Sequence, residues 1–180
     1  LNGSQNLTMT AGTGTISFHG AVGGVDPLGT LNIVTAGDVE ADALTLTAFD
    51  QDAGTGTTTL NGAINTNTAG GVVIENTNLA VNAAITTTNN GVVSLNQSGT
   101  TTIEAAGNIV SDGAVSITSV GGITTSADIT TTADTIGFTG VTKLDDEVAL
   151  VSANGAIMFS STLNGSQNLT MTAGTGTISF

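Results

Sequence analysis

The stretch LNGSQNLTMTAGTGTISF opens the chain at Leu1–Phe18 and recurs without one change at Leu163–Phe180. Chance does not produce eighteen consecutive matches, so the second copy marks the start of another repeat. Because Leu163 lies 162 residues after Leu1, we expect one complete unit at residues 1–162 and the opening of an identical unit at 163–180. The duplication is typical of a tandem array, and it predicts that the chain is a segment of a longer repetitive protein.

Short stretches of alternating apolar and polar residues fill the unit, and each is bounded by Gly, Asn or Asp. Leu7–Thr10 is one such stretch, Val72–Glu75 is another and Val115–Thr118 is a third. Alternation with period 2 places aliphatic side chains on one side of a strand and Thr, Ser or Asn on the other. The 3.6-residue period of an amphipathic helix is absent. The pattern predicts an all-β fold.

The strongly apolar strands recur at intervals of about 21 residues. The steps from Val72 to Val92 and from Val148 to Leu169 both lie at or close to this spacing. Each interval holds about three short strands and three turns, which is one rung of a parallel β-helix. We therefore predict a parallel β-helix, or solenoid, with about eight rungs in each 162-residue unit.

The composition fits such a solenoid. Aromatic residues make up 3% of the chain, with five Phe and neither Trp nor Tyr, so a narrow interior must be filled by Val, Ile, Leu and Ala. Threonine triplets suit the outer ladders, where like side chains of successive rungs lie above one another. These triplets are Thr57–Thr59, Thr86–Thr88, Thr100–Thr102 and Thr130–Thr132.

A string of antiparallel sandwiches is the alternative fold. The pairs Asn61-Gly62, Asn90-Gly91 and Asn154-Gly155 are ordinary hairpin signals, and the unit could divide into two immunoglobulin-like modules of about 81 residues. Such modules usually rely on a buried Trp or a tyrosine corner, and this chain has neither residue type. We therefore favour the solenoid.

The charge of the chain excludes several classes of function. Fourteen acidic residues face a single basic one, Lys143, and the formal net charge is −13. Binding to nucleic acid or to anionic lipid needs many Lys and Arg side chains, so we expect neither partner. No apolar run approaches the ~20 residues of a membrane span, so we expect no membrane insertion. Without cysteine the chain forms no disulfide and offers no thiolate.

Catalysis is not expected either, although many parallel β-helices are enzymes. Stabilising an oxyanion or a uronic acid needs cationic groups, and the chain offers only Lys143 and His19. Asp145 and Asp146 would be an acid–base pair only in a turn, because neighbouring strand residues point to opposite sides. We interpret them as a solvated turn that closes a rung.

Two acidic clusters are candidate calcium ligands. Asp38, Glu40 and Asp42 alternate, so in a strand their carboxylates project outward along one line, and Asp50 and Asp52 repeat the spacing in a predicted turn. Calcium prefers several hard oxygen ligands, which such clusters supply. No EF-hand or calcium-roll motif accompanies them. The competing interpretation, which we prefer, is that these carboxylates solvate the surface; no other cofactor is expected.

Residues Gly14–Ala48 read GTISFHGAVGGVDPLGTLNIVTAGDVEADALTLTA. This segment resembles the G-x-[IT]-x-F-x-G-A-V-G-G…P-L-x-x-L-x-[IV] units of giant bacterial beta-strand-repeat proteins, which are similar to filamentous-haemagglutinin-type surface adhesins. The resemblance covers about a fifth of the chain. It implies secretion, a right-handed β-helix and a role at the bacterial cell surface or in an extracellular matrix.

Together, the repeat and the resemblance predict a structural shaft of a secreted bacterial filament, adhesin or matrix fibre. The expected partners are other copies of itself, through adjacent repeats, lateral bundling or end-to-end stacking. The alternative is an adhesin module that grips a surface carbohydrate through its outer Thr and Asn ladders. Aromatic platforms for stacking on sugars would favour that alternative, and they are missing from the sequence.

Overall fold

The computed structural model describes residues 1–180, and its regular elements are twenty-three short β-strands. The structure holds no helix long and apolar enough to cross a membrane. In chain order the strands are β1 (Leu7–Thr10), β2 (Ile16–Phe18), β3 (Leu28–Thr35), β4 (Val39–Ala41), β5 (Leu44–Gln51), β6 (Thr57–Leu60), β7 (Ile64–Thr66), β8 (Val72–Asn76), β9 (Asn78–Val81), β10 (Ile85–Thr87), β11 (Val93–Gln97), β12 (Thr100–Ile103), β13 (Ile109–Ser111), β14 (Val115–Ser119), β15 (Gly122–Thr125), β16 (Ile129–Thr131), β17 (Ile136–Thr139), β18 (Thr142–Leu144), β19 (Val148–Val151), β20 (Ile157–Phe159), β21 (Leu163–Asn164), β22 (Leu169–Thr172) and β23 (Ile178–Ser179).

The strands stack into three ladders, which we call faces 1, 2 and 3 in the order in which the chain visits them. Face 1 contains β1, β3, β5, β8, β11, β14, β17, β20 and β23. Face 2 contains β2, β4, β6, β9, β12, β15, β18 and β21. Face 3 contains β7, β10, β13, β16, β19 and β22, and it begins with the first residues of β3 and β5, because these two long strands run through the corner between faces 3 and 1. Each turn of the solenoid therefore places one strand on each face.

Every strand pairs with its neighbours in parallel, which excludes the antiparallel sandwich. Val72 lies beside Val93 and Val93 beside Val115, and the same ladder continues through Ile136 and Ile157. The predicted all-β parallel solenoid of about eight turns is confirmed. The partners in this ladder follow one another in the chain at the spacing of one rung, about 21 residues.

The core is one continuous column that runs the length of the solenoid. It contains 35 buried apolar residues, contributed by all three faces. Phe138 stacks on Phe159 with ring centroids 4.8 Å apart, and Phe159 stacks on Phe180 at 5.6 Å. The column also continues through Leu163, which pairs with Thr142 on face 2, so no structural break separates the two sequence units.

The sequence predicted that the threonine triplets lie on the outer ladders, and this prediction is wrong for the middle residue of each triplet. Because successive side chains of a strand alternate, the middle Thr of each triplet points into the core and is buried. Each buried hydroxyl donates a hydrogen bond: Thr58 and Thr101 to Gln side-chain oxygens, and Thr87 and Thr131 to turn carbonyls. The interior therefore accepts threonine wherever such a partner is in reach.

Asn and Asp side chains at the corners connect successive turns. Asn6 Oδ1 accepts the Thr30 backbone N–H at 2.9 Å, and Asn78 Oδ1 accepts that of Thr100 at 3.0 Å. Each bond joins residues 22 to 24 positions apart, which is one turn of the solenoid. These side chains satisfy backbone donors where the strand ladders end.

Candidate functional site

A pocket of about 340 Å³ opens at the corner between faces 1 and 2, where β8 and β11 end. We call it the corner pocket. Its lining is mostly polar and consists of Asp52, Ala53, Gly54, Glu75, Asn76, Asn96, Gln97, Ser98 and Val120. It is the largest pocket in the structure.

The inner wall of this corner is a stack of buried polar side chains. Gln51 and Gln97 are fully buried, and Asn76 is 7% exposed. Gln97 Nε2 donates to the Ile74 carbonyl at 3.0 Å, and Gln97 Oε1 accepts the Thr101 hydroxyl at 2.8 Å. Burying a polar group is unfavourable unless it is hydrogen-bonded, so these bonds hold Gln97 in one orientation.

Two amide atoms of the same corner have no hydrogen-bond partner within the protein. Gln51 Oε1 accepts the Thr58 hydroxyl, but Gln51 Nε2 is unpartnered. Asn76 Nδ2 donates to the Asn78 carbonyl at 2.7 Å, but Asn76 Oδ1 is unpartnered. The corner therefore holds one free donor and one free acceptor.

The outer wall carries negative charge without a basic partner. Burial raises the pKa of the Asp50 carboxyl above its usual value, and the neighbouring charges of Asp52 and Glu75 raise it further. The only Lys, Lys143, lies on face 2 and pairs with Asp145. The potential at the corner pocket is accordingly negative.

The structure separates the two predicted calcium clusters. Glu40 is exposed on face 2, while Asp38 and Asp42 flank its strand, and their carboxylates already accept the backbone N–H groups of Thr57 and Gly20.

Asp50 lies in β5 on face 1 and not in the predicted turn, and Asp52, just beyond the end of this strand, lines the corner pocket. The structure brings together no group of three or more His, Asp or Glu side chains arranged to hold a metal ion. Calcium binding at the five residues stays a prediction.

The remaining titratable candidates lie apart from the pocket. Asp145 and Asp146 occupy the exposed turn between β18 and β19, as predicted, and His19 is an exposed residue just after β2. At the corner between faces 3 and 1, Asp112 accepts the Asn90 backbone N–H at 2.8 Å and the Thr132 hydroxyl at 3.0 Å. The bond to the Asn90 backbone is the main cause of a lowered pKa for Asp112.

The sequence did not single out the buried amides of the corner pocket. Gln51, Asn76 and Gln97 each stand at the end of a face 1 strand, in the position where the next apolar residue of the alternation would fall. An Asn or Gln two residues after an inward apolar residue, repeated in three successive rungs, is the signal that would have found them. No protein-family model, curated protein or solved structure matches the chain.

Proposed function

We propose that the chain is part of the shaft of a secreted bacterial surface filament, adhesin or matrix fibre built from tandem repeats. The observation that carries this proposal is the unbroken parallel stacking of about eight turns, together with the identical sequence at its two ends. A solenoid of this kind is stabilised by contacts between neighbouring turns, so further units lengthen it without requiring a new core.

The bonding pattern suits a spacer of defined length. The structure has 108 backbone hydrogen bonds, and the bonds between strands run from turn to turn along the axis. The corner Asn and Asp side chains add further links in the same direction. The resemblance of Gly14–Ala48 to beta-strand-repeat surface proteins supports the location outside the cell.

The length of recombinant arrays tests the shaft. Chains of one, two and four 162-residue units should be rods whose length grows by about 37 Å per unit, because each turn rises about 4.8 Å. Small-angle X-ray scattering measures the length, and negative-stain micrographs show the shape. A cross-section that widens while the length stays constant would contradict the proposal.

A second candidate is carbohydrate binding, which the corner pocket favours. Its amide and carboxylate groups, including Asn76, Asn96 and Glu75, are suited to hydrogen bonds with sugar hydroxyls. A glycan array distinguishes the two: binding that is lost in the Asn96→Ala variant would support this candidate. A glycan array without hits, together with rods of the expected length, would support the shaft and reject carbohydrate binding.

A further inference from the structure

The two copies of the repeated stretch occupy different faces of the solenoid. In the first copy Leu7–Thr10 forms β1 and pairs with β3 on face 1. In the second copy the same residues, Leu169–Thr172, form β22 and pair with β19 on face 3. The 162-residue sequence repeat therefore does not correspond to a whole number of solenoid turns.

The second half of the repeated stretch is displaced in the same way. Ile16–Phe18 lies on face 2 beside β4, whereas its copy at Ile178–Ser179 lies on face 1 beside β20. Both strand pairs have moved back by one face, from face 1 to face 3 and from face 2 to face 1. A common displacement of two separate strands shows that the whole copy has shifted as a body.

Counting turns gives the size of the shift. The ladder on face 1 makes seven steps from Leu7 to Ile157, and Leu169 lies two faces further along the chain. One 162-residue unit thus spans seven and two-thirds turns, which corresponds to about 21.1 residues per turn. Eight whole turns would need about 20.3 residues each, which is shorter than the step from Ile136 to Ile157.

Nothing in the repeated stretch ties it to one face. Leu7 and Met9 are half-buried with Thr between them, and Leu169 and Met171 show the same alternation of burial. A face requires only two inward apolar side chains at alternate positions, and the stretch supplies them on any of the three. The shift therefore leaves the inward packing of these residues intact.

We propose that consecutive units of the tandem array are rotated by one face, about 120°, so that equivalent surfaces return to the same side only at every third unit. This inference rests on the proposed shaft. Three units make 23 turns, or roughly 110 Å of rod. The corner pocket and the carboxylates beside it then point in three directions in succession along the array.

Distances between spin labels test the rotation within the 180-residue chain itself. The chain has no cysteine, and Thr8 and its copy Thr170 are both exposed, so Thr8→Cys with Thr170→Cys gives a clean labelled pair. The axial separation of the two labels is about 37 Å. Because the labels project outward from two different faces, they are also offset laterally by about 24 Å, so we expect a label-to-label distance of about 44 Å. Without the rotation the distance would be about 38 Å, and that result would overturn the inference.

Two further pairs make the result independent of one variant. Thr8→Cys with Met158→Cys joins two exposed positions of face 1 that are seven turns apart, and it should give about 34 Å. Ser17→Cys with Ser179→Cys repeats the test on the second displaced strand, again with about 44 Å expected. A same-face distance for the latter pair overturns the rotation, whereas the array-length measurement alone decides the shaft.

Discussion

The fold places the Asp50 carboxylate where its ionised form is unfavourable. Its pKa is raised in the folded state, first by burial and then by Asp52 and Glu75, so the folded chain binds this proton more tightly than the unfolded chain does. Ionised Asp50 therefore lowers stability above the raised pKa, and this penalty disappears as the pH falls below the unfolded value of 3.8. We expect Asp50→Asn to raise the melting temperature at pH 7 and to leave it unchanged near pH 3.

Thermal denaturation followed by circular dichroism at both pH values measures the effect. Asp26→Asn removes one charge from an exposed turn and serves as the control for the change in net charge. An equal gain for Asp50→Asn at pH 3 would show that the raised pKa is not its cause.

Gly71 sits where both conformation and space exclude a side chain. Its φ is 58°, and a Cβ at this position would overlap the backbone carbonyl of Val92 in the next turn. Gly12 has nearly the same φ, 62°, but open space around it. Gly12→Ala should cost about 1 kcal/mol for the positive φ, and Gly71→Ala at least about 2 kcal/mol more, as measured by urea denaturation. Equal losses of stability in the two variants would mean that the Val92 carbonyl moves aside at no cost in free energy.

Among the buried amide side chains of the corner pocket, Gln97 on strand β11 has hydrogen-bond partners for both its nitrogen and its oxygen. Removing the Gln97 side chain leaves the Ile74 carbonyl and the Thr101 hydroxyl without this partner and opens a cavity, so Gln97→Ala should cost about 2–4 kcal/mol. Asn96→Ala, on the same strand but pointing outward, should change stability by less than about 0.5 kcal/mol. Comparable losses from the two variants, measured by urea denaturation, would refute the role of the corner bonds.

The strands differ in how well the sequence predicts them. On faces 1 and 3 the inward positions are mostly Val, Ile and Leu, and the alternation reveals Leu7–Thr10 without ambiguity. Thr57–Leu60, Gly122–Thr125 and Thr142–Leu144 on face 2 are harder to predict as strands, because Thr takes an inward position in each of them where the pattern expects an aliphatic residue. The stacked partners of the adjacent turns define these strands, and a pattern read within one segment does not contain them.

The candidate site was predictable only in part. The acidic pair Asp50 and Asp52 is visible in the sequence, but the approach of Glu75 depends on register between β5 and β8. The one-face displacement of the repeated stretch was equally hidden, because two identical segments predict the same strands whichever face they join. Register is a property of the stacked turns, and the length of every intervening turn contributes to it.

The solenoid as a whole carries its acidic residues with almost no compensating charge. Net charge of −13 over one short solenoid keeps neighbouring rods apart at low ionic strength, and screening or divalent ions reduce that repulsion. We expect light scattering of a multi-unit array to rise on titration with calcium and, at higher concentration, with sodium chloride. Scattering that stays flat in calcium would remove divalent bundling from the proposed behaviour.

The orientation of the strands also determines how the rod responds to a pull on its ends. The strands lie across the axis and their hydrogen bonds lie along it, so tension peels one turn from the end instead of shearing many bonds at once. A peeled turn of about 21 residues extends to roughly 70 Å, against about 5 Å when stacked. A tether made of such turns would lengthen more than tenfold under force and would rewind when the load is released, so the proposed shaft would be highly extensible.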